Sequence, residues 1–91
     1  MASDEMERLR DEIESIDRKL IELVARRVDL AREVGRAKRA AGLPTRDPAR
    51  EAAVVRRAGQ VAREVGIADE DVRYIFWHLI GLSRRAQNDE S

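Results

Sequence analysis

Apolar residues recur along the first forty residues at alternating steps of four and three, the spacing of a helix that buries one face. The series consists of Leu9, Ile13, Ile16, Leu20, Leu23, Leu30, Val34 and Ala37. Its missing member falls on Arg27, so a guanidinium occupies a position that the pattern expects to be buried. Burying that charge costs several kcal/mol unless an anion meets it. We therefore expect a carboxylate at Arg27, supplied either by the protein or by a ligand.

The same periodicity and the helix-end signals predict an all-α fold of three helices in a single domain over residues 1–91. The predicted helices cover about residues 4–41, 48–65 and 70–87. Gly42 ends the first helix, Asp47 caps the second with Pro48 in its first turn, and Gly66 ends the second.

The first helix is too long for a compact monomer of this size. About 37 residues span roughly 55 Å, whereas a compact domain of 91 residues has a radius of gyration of about 12 Å. Two shorter helices cannot cover such a rod, so its apolar stripe must pack against another chain. We expect an intertwined homodimer with antiparallel long helices. A plain coiled coil, acting as a non-enzymatic dimerisation module, is the alternative.

Composition excludes several classes of function. The 18 lysines and arginines balance the 18 aspartates and glutamates, which gives no broad attraction to nucleic acid or to an anionic membrane. No stretch is apolar enough for a membrane span or a signal peptide, so we expect a cytoplasmic protein. With no cysteine and one histidine, the chain lacks the residues for disulfides, for a cysteine nucleophile and for an ordinary zinc site.

Polar residues interrupt the apolar face of every predicted helix. Lys38 follows Arg27 by eleven residues, nearly three turns, which places the two cations on one face about 16 Å apart. Glu51 begins the stripe of the second helix, and Ser83 and Gln87 end that of the third. Singly, each is commonly a surface or helix-end residue. Together they favour one polar site that the three helices share, with room for a substituted ring.

These residues, in this order, resemble the all-helical (AroQ-type) chorismate mutases. The likeness covers nearly the whole chain and is strongest from Leu9 to Glu51. The positions that carry it are Arg10, Arg27, Lys38, Pro44, the run Asp47-Pro48-Ala49-Arg50-Glu51, Ser83 and Gln87. The resemblance implies an isomerase of the shikimate pathway that rearranges chorismate to prephenate for aromatic amino acid biosynthesis. It also implies a pericyclic reaction that requires no metal and no cofactor.

The resemblance also implies roles for the site residues. Arg10 and Arg27 would bind the two substrate carboxylates, and Lys38 and Gln87 would donate hydrogen bonds to the breaking ether oxygen. The remaining positions would bind the ring: Glu51 and Asp47 at its hydroxyl, Ser83 at its carboxylate. Arg50, Trp77, His78, Arg84 and Arg85 receive no firm role.

Arg10 and Arg27 lie seventeen residues apart, about 25 Å along one helix. If both bind one substrate, Arg10 must therefore come from the partner chain. Two other activities on this helical scaffold stay open: an isochorismate pyruvate lyase and a mutase of amino-substituted chorismate. An acid at Glu51 suits a ring hydroxyl.

Overall fold

Three helices make up the described part of the chain, residues 2–88, in a computed structural model: α1 (Ala2–Ala40), α2 (Pro48–Val65) and α3 (Asp69–Asn88). The all-α prediction with three helices is confirmed over these residues. Residue 1 and residues 89–91 of the predicted domain lie outside the described residues. The chain measures 61 × 28 × 15 Å and has a radius of gyration of 17.0 Å, well above the roughly 12 Å of a compact domain of this length.

The helix ends follow from local backbone chemistry. Gly42 and Gly66 have φ values of 69° and 80°, in the left-handed region that favours glycine. At each glycine the last turn closes with a paired set of backbone hydrogen bonds, Leu43 N–H to Lys38 C=O (2.8 Å) and Ile67 N–H to Ala62 C=O (2.9 Å) being the outer ones. This is the Schellman arrangement, which satisfies carbonyls that a helix end leaves without partners.

Helix α3 holds the chain together. It packs against both α1 and α2, whereas no Cα atom of α1 comes within 8 Å of a Cα atom of α2 in the described residues. Among the described glycines, Gly35 of α1 permits the closest approach to the backbone of another helix, at Gln87 of α3. The buried apolar residues are few and small: Ala31, Val55, Ala58, Ala62, Ile80 and Ala86.

The N-terminal half of α1 is covered by neither of the other helices. Every side chain from residue 3 to residue 23 is exposed. The apolar stripe from Leu9 to Leu23 is bare, with exposed fractions of 43–63% for its five members. None of the helices, over residues 2–88, is long and apolar enough to cross a membrane.

Candidate active site

A cavity of about 550 Å³ lies where the three helices meet, within the roughly 300–1,000 Å³ typical of small-molecule sites. Six of the seven residues that the sequence predicted for the site line it; only Arg10 does not. The polar lining consists of Arg27, Lys38, Asp47, Arg50, Glu51, Arg57, Ser83 and Gln87. Five apolar residues complete it: Leu30, Ala31, Val34, Val54 and Ile80. Four cationic side chains against two acidic ones give the cavity a positive excess, which suits an anionic ligand.

Arg27 enters this cavity from α1 and is half-buried. Its guanidinium donates a hydrogen bond to the Ser83 hydroxyl of α3. Within the described residues no carboxylate pairs with Arg27, so the chain supplies a neutral partner where the sequence left a protein carboxylate or a ligand open. The charge of a partly buried guanidinium therefore remains available for a ligand anion.

Lys38 and Gln87 lie within hydrogen-bonding distance of each other across α1 and α3. The Lys38 ammonium donates to Oε1 of Gln87 at 3.1 Å and to the carbonyl oxygen of Thr45 at 2.8 Å. Because Oε1 accepts from Lys38, the amide nitrogen of Gln87 is the group left to donate elsewhere. The backbone of Gln87 is held as well, since Arg39 donates to its carbonyl oxygen at 2.6 Å. This corner of the cavity therefore presents two preorganised donors.

The acidic corner lies at the start of α2. Asp47 caps the helix, with Oδ1 accepting from the backbone N–H of Arg50 at 3.1 Å. Glu51, one turn later, accepts two hydrogen bonds from Arg84 of α3, from Nη2 at 2.7 Å and from Nε at 3.2 Å. These hydrogen bonds, and the negative charge of Glu51, raise the pKa of the Arg84 guanidinium. Glu51 is thus an oriented carboxylate in the lining of the cavity.

Arg10 lies in the exposed half of α1, about 25 Å along the helix axis from Arg27, and it is not part of the cavity lining. A single chain therefore does not bring Arg10 to the site. Arg50 lines the cavity and is exposed. Trp77 and His78 are exposed on α3, where the His78 ring packs edge-on against Tyr74 with centroids 5.1 Å apart.

Five residues at or around the cavity were not predicted from the sequence: Gly35, Arg39, Thr45, Arg57 and Arg84. The sequence carried one usable signal, because an acid on the apolar face of α2 needs a cation opposite, and the pair Arg84-Arg85 lies on α3. Gly35 and Thr45 contribute through their backbones, and Arg39 donates from its side chain to a backbone carbonyl, so side-chain patterns do not report these contacts. Arg57 lines the cavity from an exposed position of α2 that the apolar stripe does not mark.

Comparison with known proteins matches residues 9–88 to the family chorismate mutase type II. The T-protein of Enterobacter agglomerans is 33% identical over 94% of this chain and 23% of its own length. The chorismate mutase of Methanocaldococcus jannaschii is 32% identical over 87% of this chain and 80% of its own length. The 4-amino-4-deoxychorismate mutase of Streptomyces venezuelae is 36% identical over 69% of this chain and 61% of its own length. The chain spans less than a quarter of the length of the T-proteins that it matches.

Proposed function

The chain belongs to the chorismate mutase type II family, and we propose that it catalyses the rearrangement of chorismate to prephenate. The observation that carries the proposal is the cavity between the three helices. Its lining combines the Arg27 guanidinium, which pairs with no carboxylate of residues 2–88, with the Lys38–Gln87 pair and the oriented carboxylate of Glu51. Chorismate is a compact dicarboxylate with one ring hydroxyl. Its two negative charges match the positive excess of the lining.

The reaction breaks one C–O bond and forms one C–C bond within a single molecule. It requires that the enolpyruvyl arm be folded over the ring and that negative charge on the departing ether oxygen be stabilised. Arg27 would bind a substrate carboxylate, with Ser83 beside it at the ring carboxylate. Lys38 and the amide nitrogen of Gln87 would donate to the ether oxygen, using N–H groups that their mutual hydrogen bond does not occupy. Glu51, with Asp47 nearby, would accept a hydrogen bond from the ring hydroxyl.

A homodimer would complete both the fold and the site. The stripe from Leu9 to Leu23 is exposed in one chain, and a bare apolar stripe of this length is a binding surface rather than a stable exterior. A second groove of about 310 Å³, lined mostly by apolar residues of α2 and α3, shares Arg27, Val54 and Arg57 with the cavity. The stripe of a second α1, packed antiparallel, offers the apolar surface that would cover this region.

Such a dimer also supplies the missing arginine. If the two α1 helices cross their two-fold axis between Leu20 and Val24, Arg10 of the partner subunit lies beside the interval from Arg27 to Lys38. It would then bind the second substrate carboxylate. We propose that each cavity binds chorismate with Arg27 of one chain and Arg10 of the other.

The activity is tested by adding purified protein to chorismate and following the loss of substrate absorbance, with product identification. Prephenate is the expected product. Salicylate and pyruvate from isochorismate, with no turnover of chorismate, would instead identify a lyase, and no turnover of either compound would leave a dimerisation module.

Arg10 is tested by complementation. The variants Arg10→Ala and Arg27→Ala should each be inactive as homodimers. A heterodimer of the two contains one site with both arginines and one site with neither. Random exchange of equal amounts makes half of the dimers heterodimers, so about a quarter of the wild-type activity should return. If fully exchanged heterodimers remained inactive, the shared site would be refuted. A monomeric protein in ultracentrifugation at micromolar concentration would refute it as well.

A further inference from the structure

The least expected contact at the cavity is the one between Arg84 and Glu51. The guanidinium engages both carboxylate oxygens, Oε1 from Nη2 at 2.7 Å and Oε2 from Nε at 3.2 Å. The Glu51 side chain is 18% exposed, and that of Arg84 is 39% exposed. Glu51 lines the cavity and Arg84 does not. Arg84 is therefore not a lining residue; it orients the Glu51 carboxylate and places its own positive charge beside it.

We propose that Arg84 determines which ring substituent the site accepts, favouring a hydroxyl over an amine. This inference rests on the proposed function, because it assigns Glu51 to the ring substituent of the substrate. It concerns a positioning residue, since Arg84 itself does not reach the cavity.

Arg84 leaves part of the acceptor capacity of Glu51 unused. A carboxylate has about four lone-pair positions, of which Arg84 occupies one on each oxygen. Each oxygen therefore keeps an acceptor position for a hydroxyl hydrogen. The two-point contact also fixes the plane of the carboxylate, because a guanidinium fork and a carboxylate are complementary only when nearly coplanar. A ring hydroxyl thus meets an acceptor that is already oriented.

The charge of Arg84 distinguishes an amine from a hydroxyl on the ring. An amine in place of the hydroxyl would be largely an ammonium at neutral pH, and an unpaired Glu51 would attract it. With Arg84 in place the carboxylate is already paired with one cation, so a second cation enters beside a like charge. The exposed Arg50 and Arg57, which line the same cavity, act in the same direction. A neutral hydroxyl is indifferent to this repulsion, so the penalty falls on the ammonium alone.

The experiment compares chorismate with 4-amino-4-deoxychorismate, the compound named for the Streptomyces venezuelae relative. In the full chain, Arg84→Met keeps most of the side-chain length and removes the charge. We expect the ratio of kcat/KM for chorismate to that for the amino compound to fall roughly ten- to hundredfold, the usual scale of relieving a like-charge contact. The inhibition constant of the amino compound against chorismate should fall in parallel, which gives a readout even if the amino compound is not turned over.

Two controls separate specificity from mere structure. Arg85→Met removes the same charge from the neighbouring, exposed position of α3 and should leave the ratio within about twofold. In a Glu51→Gln background the positive charge of Arg84 remains, so Arg84→Met should still lower the ratio, whereas a role confined to orienting the Glu51 carboxylate would leave the ratio unchanged. Arg84→Lys, which keeps the charge, should retain most of the wild-type preference; if the methionine variant does not fold, Arg84→Gln takes its place.

The outcomes are distinct. A loss of activity towards both compounds in equal proportion, with a lowered melting temperature, would mean that Arg84 only joins α2 to α3, and the proposal would be wrong. An equal shift in Arg84→Lys and Arg84→Met would also overturn it, because charge would then not be the determinant. Absence of chorismate turnover by the wild-type protein would instead refute the proposed function.

Discussion

Gly35 offers a test of how closely the site depends on helix packing. A Cβ atom at this position would lie 2.6 Å from the carbonyl oxygen of Gln87 and 2.8 Å from its Cα. These are backbone atoms, which cannot rotate away as a side chain can. Ordinary contact begins at 3.4 Å, so Gly35→Ala requires the end of α3 to move about 0.8 Å away from α1. The Gln87 amide would move with it.

The size of the effect follows from that displacement. A misplacement of about 1 Å in a catalytic group typically costs on the order of a hundredfold in rate, so we expect kcat to fall by roughly 10- to 100-fold. Stability should change less, because alanine favours a helix by about 1 kcal/mol over glycine and so offsets part of the strain. The loss should therefore appear in turnover and not in the folded fraction.

The assay is chorismate turnover beside thermal unfolding, with Gly81→Ala as the matched control. A Cβ at Gly81, also helical, would meet only the end of the Arg85 side chain at 3.5 Å, an ordinary contact. This control should keep activity within about twofold and gain up to about 1 kcal/mol in stability. A Gly35→Ala protein with wild-type kcat would refute the reasoning, since Gln87 would then tolerate the displacement or have no catalytic role.

Two further predictions address individual side chains. Arg27→Ala should lose activity by several orders of magnitude while the fold persists, because its one hydrogen bond to the Ser83 hydroxyl contributes only about 1.5–3 kcal/mol. Circular dichroism and kinetics check this, and an unfolded variant that stays active once stabilised would make the arginine structural. Gln87→Glu should be nearly inactive at neutral pH, by about 10²–10³-fold, and recover as the pH falls, since only a protonated carboxyl can donate to the ether oxygen. Parallel pH–rate profiles for Gln87→Glu and wild type would contradict the second prediction.

The helices were predictable because their signals are local. A glycine with positive φ ends α1 and another ends α2, while Asp47 and Pro48 start α2 within one turn. Such signals depend on the backbone of a few consecutive residues. The same holds for the common face of Arg27 and Lys38, which follows from helix geometry alone.

The pairing of α2 with α3 was not predictable in the same way. Arg84 and Arg85 are adjacent, and a rotation of α3 by about 100° would exchange their positions. Which of them meets Glu51 depends on how α3 turns between α1 and α2, and that rotation is fixed by packing, including the close approach at Gly35. The sequence pattern of one helix alone does not determine this rotation.

The small core of the single chain links folding to the proposed catalysis. Of the six buried apolar residues in the described part of the chain, four are alanines, whereas five larger side chains of the α1 stripe are exposed. Most of the apolar surface that could stabilise the protein therefore lies where a partner would bind, and that partner would also bring Arg10 to the cavity. A ligand that binds only the completed site stabilises the dimer by about 2.7 kcal/mol at one hundred times its Kd. Substrate binding, dimerisation and the stability of α1 should accordingly change together in any variant of the stripe.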